Sequence, residues 1–318
     1  MNLIDMHCDT LLECYLNSYG LRKNHGHLDL ESMAASGALA QFFAIFLPSG
    51  EDAREHGIEI GPYRLFEEVY GLYQSEMAKN KDLILPAYSY QDILENKRKN
   101  KISAILTVED GQLIEGDIDR IQELYDMGVR LITILWNREN CIGFPNSRDE
   151  NAHQKGLKPF GIEVVERMNR LGIIIDVSHI SEGGFFDVAK YSEKPFVASH
   201  SCARALCGHP RNLTDAQLKR IAESGGVAGV NFYSEFLKDV SKYTAINDIK
   251  EHIGHMVSVM GEDGVALGSD FDGIDCELEI ENYGQYGKLI SELEKCYSND
   301  VLEKICYKNV LRVVHDCL

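Results

Sequence analysis

Five short stretches carry the residues that could do chemistry. The first is Leu3-Ile4-Asp5-Met6-His7-Cys8-Asp9, where a histidine and an aspartate stand two apart behind an apolar run. In an extended chain they point to the same side. A neutral imidazole and a carboxylate at a strand end make a pair of metal ligands. The other candidates are Glu109 in Val108-Glu109-Asp110-Gly111, His179 in Asp176-Val177-Ser178-His179, His200 in Ser199-His200-Ser201, and Asp270 in Gly268-Ser269-Asp270-Phe271-Asp272-Gly273. Each of these also follows a short apolar run. Any one alone is most simply a polar residue opening a loop. Brought together they are three histidines and three acids, which is what a two-metal hydrolase needs. Two divalent ions about 3.5–4 Å apart require a shared carboxylate and further nitrogen or oxygen ligands on each. Glu109 can bridge, His7 and Asp9 can hold one ion, and His179 and His200 the other. Asp270 is left to move protons between an attacking hydroxide and a leaving group.

Such convergence needs a frame that gathers strand ends. Strands are expected at Leu3–Met6, Ala40–Leu47, Ile102–Val108, Val129–Leu135, Ile173–Val177, Phe196–Ser199, Val227–Phe232 and Val265–Gly268. Helical spacing marks Gly61–Lys79, Asp92–Arg98, Ile118–Met127, Phe160–Leu171, Gly183–Lys190, a helix capped by Thr214, Ile246–Met260, Tyr286–Tyr297 and Asp300–Val314. About eight strand–helix alternations over 318 residues suit a single α/β domain, residues 1–318, folded as a (β/α)8 TIM barrel. A doubly wound open sheet is the alternative, but Asp9-Thr10 follows the first strand where that fold carries a glycine-rich phosphate loop. In a barrel all the candidate residues open onto one mouth. The polar insertions Ser49–Ile60 and Asn137–Lys158 would rim it.

Composition narrows the partners. Lys+Arg is 32 against Asp+Glu 50, a net charge of −18. Such a surface repels phosphate backbones and anionic lipid, so neither nucleic acid nor a membrane is expected as a partner. No signal peptide and no run long enough to span a bilayer is evident, which points to a cytoplasmic protein. Nine cysteines without a CxxC pair read as reduced thiols. Cys8 should point away from its neighbours His7 and Asp9 into the barrel wall.

With these motifs in order, the chain resembles the renal-type membrane dipeptidases, zinc dipeptidases of peptidase family M19 in the amidohydrolase superfamily. The resemblance runs essentially end to end. It also rests on Gly156-Leu157-Lys158-Pro159-Phe160-Gly161 and Pro210-Arg211-Asn212. It implies two Zn2+ per chain, with His7 and Asp9 on the first ion, His179 and His200 on the second, and Glu109 between them. It implies Asp270 as catalytic acid/base and Arg211 as the partner of the substrate's free carboxylate, a role that suits a guanidinium among acids. Tyr233 falls where the family has a substrate-contacting tyrosine. A dipeptide substrate, tolerance of a D-residue at its second position, and a homodimer are further implications.

One departure stands out. Well-known members carry a histidine after the fourth strand, placed to steady the oxyanion. Here that position is Trp136, the only tryptophan. Either the metals alone polarise the carbonyl, or Asn137 or Arg138 donates instead; an oxyanion donor is typically worth about 10²–10³ in kcat. The remaining histidines read as structural, with His252 and His255 on a helix surface and His153 as the one near the mouth. Glu277–Glu281 reads as a solvated loop. Two other functions remain open on the sequence: hydrolysis of another small amide or lactam, and a metal-binding barrel without activity.

Overall fold

The computed structural model describes residues Met1–Leu318. Its strands, in chain order, are β1 (Leu3–Asp5), β2 (Ala38–Phe46), β3 (Ile84–Pro86), β4 (Ile102–Glu109), β5 (Val129–Thr133), β6 (Ile174–Asp176), β7 (Ala228–Val230), β8 (Tyr243–Thr244), β9 (Val265–Leu267) and β10 (Glu277–Leu278). The main sheet runs β6-β5-β4-β2-β1-β9-β7, with every pair parallel. The gap between β6 and β7 is filled by Phe196–Ser199. That segment makes only the isolated bridges Asp176↔Val197 and Ala198↔Ala228. Eight parallel strands therefore close on themselves, and the fold is the (β/α)8 barrel.

Alternation along the strands divides the apolar residues between two layers. Ile4, Phe42, Ile105, Leu131, Ile174, Val197, Val227 and Ala266 meet inside the barrel, seven from strand segments and Val227 from the residue just before β7. Val310, Val313 and Val314 of the C-terminal helical segment Asn309–Cys317 plug its floor. The outward residues pack beneath the helices in a second, larger cluster. Local signals set the helix ends. Proline opens Pro62–Lys79 and Pro159–Leu171, and Gly172 closes the latter in the left-handed conformation. Thr214 and Gln217 form a capping box at the start of Asp215–Glu223.

Several elements differ from expectation. Helices Thr10–Asn17 and Leu30–Ala35 and strand β3 occupy stretches where none was expected. β3 is only three residues long and ends in Pro86; it pairs with the first part of β4, whose later part turns to β5. The last helix starts at Asn299 and passes through a π turn at Lys304–Lys308. Glu277–Leu278 is not free loop but pairs with β8 in a two-stranded ribbon, with Leu278 and Ile280 buried.

Candidate metal centre

Regular pairing stops at Glu109 or just short of the other site residues, and short polar side chains take over the backbone. Asp5 Oδ1 accepts the amide of His7 at 3.2 Å, and Asp176 Oδ1 that of Ser178 at 2.9 Å. Asp110 does the same for Gln112 at 3.0 Å, and Asn231 for Tyr233 at 2.6 Å. These are Asx turns, which redirect a chain within two residues. At β1 the effect is a slip in alternation. Ile4 and Met6 face the barrel interior, yet Cys8 faces the outer layer and donates to Phe42 O at 3.5 Å. His7 and Asp9 are thereby turned to the mouth together, with Cys8 directed away. His179 and Asp270 both hold positive φ, 68° and 65°, a conformation that costs a non-glycine residue energy and clusters at functional sites.

The six candidate side chains converge. His7 Nε2 lies 3.4 Å from Asp9 Oδ2, 3.5 Å from Glu109 Oε2 and 3.7 Å from Asp270 Oδ1. The other oxygen of Glu109, Oε1, lies 3.1 Å from His179 Nε2 and 3.4 Å from His200 Nε2. Glu109 thus offers one oxygen to each group. All six residues are buried.

The donor set fits divalent cations on grounds internal to the structure. Nε2 of His179 and Nε2 of His200 are 3.0 Å apart. Each ring has its other nitrogen committed as a donor. His179 Nδ1–H points at Asn137 Oδ1, 3.0 Å away. His200 Nδ1–H points at Ser199 Oγ, 2.6 Å away, whose own proton goes to Asp176. Burial and Arg211, with other histidines nearby, hold both imidazoles well below the usual histidine range, so they are neutral. Two lone pairs therefore face each other and the same carboxylate oxygen, an arrangement that a shared cation satisfies. His7 Nδ1, His7 Nε2 and Asp9 Oδ1 are buried without a hydrogen-bond partner, which is unusual unless something else engages them.

The acids are strained in the same sense. Burial pushes Glu109 up to about 8, against the pull of His7 and with Asp9 adding to the push. Burial also pushes Asp270 up to about 6, with His7 opposing. Burial alone would lower His7, but Glu109 and Asp9 outweigh it and hold the ring well above its usual range.

Comparison with known proteins decides the family. The membrane dipeptidase family, peptidase family M19, matches residues 1–317. The chain belongs to that family. A metallopeptidase of Rhodobacter sphaeroides, solved with a phosphinate mimic of the dipeptide L-Ala-D-Ala, superposes with a TM-score of 0.90 at 27% identity, covering 100% of this chain and 99% of that one. A second M19 metallopeptidase, dipeptidase AC, gives 0.89 at 28% identity over 100% and 98%. Among sequence relatives, an uncharacterized dipeptidase of Schizosaccharomyces pombe is 34% identical over 74% of this chain and 58% of its own length. An uncharacterized Klebsiella pneumoniae protein is 40% identical over 70% of this chain and 84% of its own.

Around the dipeptidase-family centre lies a cavity of about 220 Å³, walled by Phe46, Trp136, Tyr233, Phe236 and Ile274 and floored by Asp9, Glu109, His179 and Asp270. Trp136 tilts against Phe46, ring centroids 4.7 Å apart, and stands 6.2 Å from His179. Asn137 lines the cavity too, but its oxygen is taken by His179. Arg138 turns away to Asp52, 3.0 Å off, and is no oxyanion donor. Arg211 is buried and is not among the residues that line the cavity. Its Nη1 donates to Ser201 Oγ at 2.5 Å and its Nη2 to His200 O at 2.8 Å, leaving Nε unpaired. His153 is buried away from the centre, where it accepts the Ser147 amide and stands 3.2 Å from Arg204. His252 is not a surface residue. It is 1% exposed and ties the Ala203 amide to Leu237 O. Sequence reasoning passed over Asp5, Asp176, Ser199, Ser269 and Asn231. Their signal was in plain view, as a short polar residue one to three positions before a candidate.

Proposed function

We infer that this protein is a metal-dependent dipeptidase, and we propose His7, Asp9, Glu109, His179 and His200 as the residues that hold two zinc ions. The supporting observation is the pair of facing imidazole lone pairs above Glu109 Oε1, beside a second group around Glu109 Oε2. Two bound divalent ions supply Lewis acidity to the peptide carbonyl and make water acidic enough to ionise near neutral pH.

The chain's own groups account for the rest. Asp270 is steadied by Asn231 Nδ2, 2.8 Å from its Oδ2. Its other oxygen faces the centre, 3.7 Å from His7 Nε2. Placed there, it can take a proton from water and then pass it to the leaving amine. Arg211 Nε, buried and unpaired, is our candidate for the substrate's carboxylate. Tyr233 and Trp136 wall the bound side chains. With Asn137 committed to His179 and Arg138 turned away, we assign no protein donor to the oxyanion. The small cavity and the dipeptide mimic bound by the Rhodobacter relative support a substrate of dipeptide size.

The test is a panel of L,L and L,D dipeptides given to zinc-loaded protein, with Arg211→Ala in parallel. Cleavage of dipeptides by wild type, with the variant's loss confined to substrates bearing a free carboxylate, is expected. Zinc-loaded protein that cleaves no dipeptide, or cleaves simple amides equally well, overturns the reading.

A further inference from the structure

We propose that Asp5 and Asp176 are a matched pair of positioning residues, and that Asp176, acting through Ser199, sets the tautomer of His200 so that its Nε2 lone pair faces Glu109. The two aspartates make the same four contacts at opposite sides of the barrel. Each ends a strand. Each accepts on Oδ1 the amide two residues ahead, His7 at 3.2 Å or Ser178 at 2.9 Å. Each accepts on the same oxygen the amide of a serine on the neighbouring strand, Ser269 at 2.9 Å or Ser199 at 2.8 Å. Each accepts on Oδ2 the hydroxyl of that same serine, both at 2.5 Å. A further hydroxyl completes each set, Tyr286 on Asp5 at 2.8 Å and Thr133 on Asp176 at 2.6 Å. In both cases the clamped serine immediately precedes a residue of the centre, Asp270 or His200.

The repetition has a chemical consequence at His200. A serine hydroxyl has one proton to give. Asp176 takes it, because a carboxylate receiving four donors is an acceptor only. Ser199 Oγ must then accept from His200 Nδ1, 2.6 Å away. That leaves the proton on Nδ1 and the lone pair on Nε2. A hydrogen bond to the outer nitrogen is the usual way a metal-facing imidazole is fixed. Here the fixing group is a serine oriented by a buried carboxylate. At the other clamp the serine precedes an acid, so Asp5 sets no tautomer through it and fixes only where Asp270 and, through its amide, His7 sit.

The test has two arms, of which only the second rests on the metal reading above. In the first, histidine-labelled, metal-free full-length protein is examined by ring 15N NMR near neutral pH. His200 is identified among the eleven histidines by the resonance missing in His200→Gln. Wild type should show His200 as the Nδ1–H form. Ser199→Ala removes the acceptor, and Asp176→Asn turns the serine proton toward the ring; both should shift His200 toward Nε2–H. Ser199→Thr should restore the wild-type form, and Ser269→Ala should leave it untouched. In the second arm, zinc is titrated against a chromophoric chelator. Ser199→Ala should weaken one ion by roughly 10–100-fold and Ser269→Ala should not weaken that ion. Retention of the Nδ1–H form in Ser199→Ala overturns the proposal, whether or not Asp176→Asn folds. Absence of zinc binding by wild type with the predicted tautomers in place overturns the metal reading and leaves the positioning role standing.

Discussion

Gly273→Ala should disable the centre without unfolding the protein. Gly273 sits in the turn after Asp270, and its amide donates to Asp270 O at 3.1 Å. A Cβ built there would lie 2.1 Å from Asp9 Oδ2 and 2.8 Å from Asp270 Oδ1. The residue is exposed and its backbone is not left-handed, so alanine meets no obstacle except those two carboxylates. Contacts of Cβ below 3.0 Å essentially do not occur. Asp9 Oδ2 must therefore move by about 0.9 Å, against a tolerance of about 0.2 Å in a metal–carboxylate distance. A displacement of that size at reacting groups costs on the order of 10²-fold, or ~2.7 kcal/mol of barrier. The assay is kcat/KM on the best dipeptide, with metal content and thermal midpoint measured on the same samples. Expected are a loss near 10²-fold, depletion of one ion, and a nearly unchanged midpoint once both proteins are stripped of metal. Activity within threefold of wild type with both ions retained would refute the inference that Asp9 and Asp270 work at the positions described.

Four further outcomes follow from the same geometry. Asp270→Asn should lower kcat by about 10²–10⁴-fold, the usual worth of a positioned acid/base, while dialysed protein keeps its metal. Cys8→Ser should leave metal content unchanged, since the thiol serves only Phe42 O; a lost ion would show that Cys8 faces the centre. His252→Leu should cost roughly 1–3 kcal/mol in denaturant titration, because the Ala203 amide and Leu237 O lose their shared partner in a buried site. Metal-free protein should lose stability as pH rises from about 6.5 to 8, above the range in which His179 and His200, neutral in the native chain, would take up protons on unfolding and oppose the trend. Native Glu109 and His7 hold protons there that the unfolded chain has released, so the slope is negative, up to ~1.4 kcal/mol per pH unit for each such proton. Zinc affinity should rise over the same interval with proton release measurable by calorimetry in paired buffers; a flat metal-free profile would contradict both halves.

What was legible in the sequence depended on how local its cause was. His7, Glu109, His179, His200 and Asp270 could be picked out because each follows an apolar run, and a barrel turns that pattern into proximity. Their roles are a step further, and the geometry supports them without a bound ion. What could not be read depended on contacts between distant segments. The His252–His255 spacing suggests a helix surface, yet His252 is covered by Ala203 and Leu237, which lie outside its helix. Asn137 looked like a donor to substrate, but the path of its loop sets its oxygen against His179, 42 residues away. β3 escaped notice because three residues carry no period. The slip at β1 was hidden for a related reason: alternation predicts side-chain direction only while the ladder continues, and it stops at Asp5.

The segment Phe196–Ser199 shows how the barrel's weakest pairing and its most demanding residue come to share one place. It has no ladder of its own, only single bridges to β6 and β7, yet it delivers His200 to the centre. Four backbone hydrogen bonds, to Ile175, Val177, Val227 and Gly229, seat Val197 and Ala198 between those strands. Beyond Ala198 two other contacts take over. Asp176 grips both the amide and the hydroxyl of Ser199. Gly229 and Gly268 let its carbonyl press inward, where a Cβ at either position would come within 2.1 or 1.9 Å of Ser199 O. A side chain at those glycines would push the segment off the sheet and carry His200 with it. A regular strand would give the same register more cheaply, but its alternation would send Ser199 and His200 to opposite faces. Ending the pairing in a carboxylate clamp lets Ser199 bond the ring of its own neighbour, so the contact that ties the segment's end to Asp176 is also the one that aims His200.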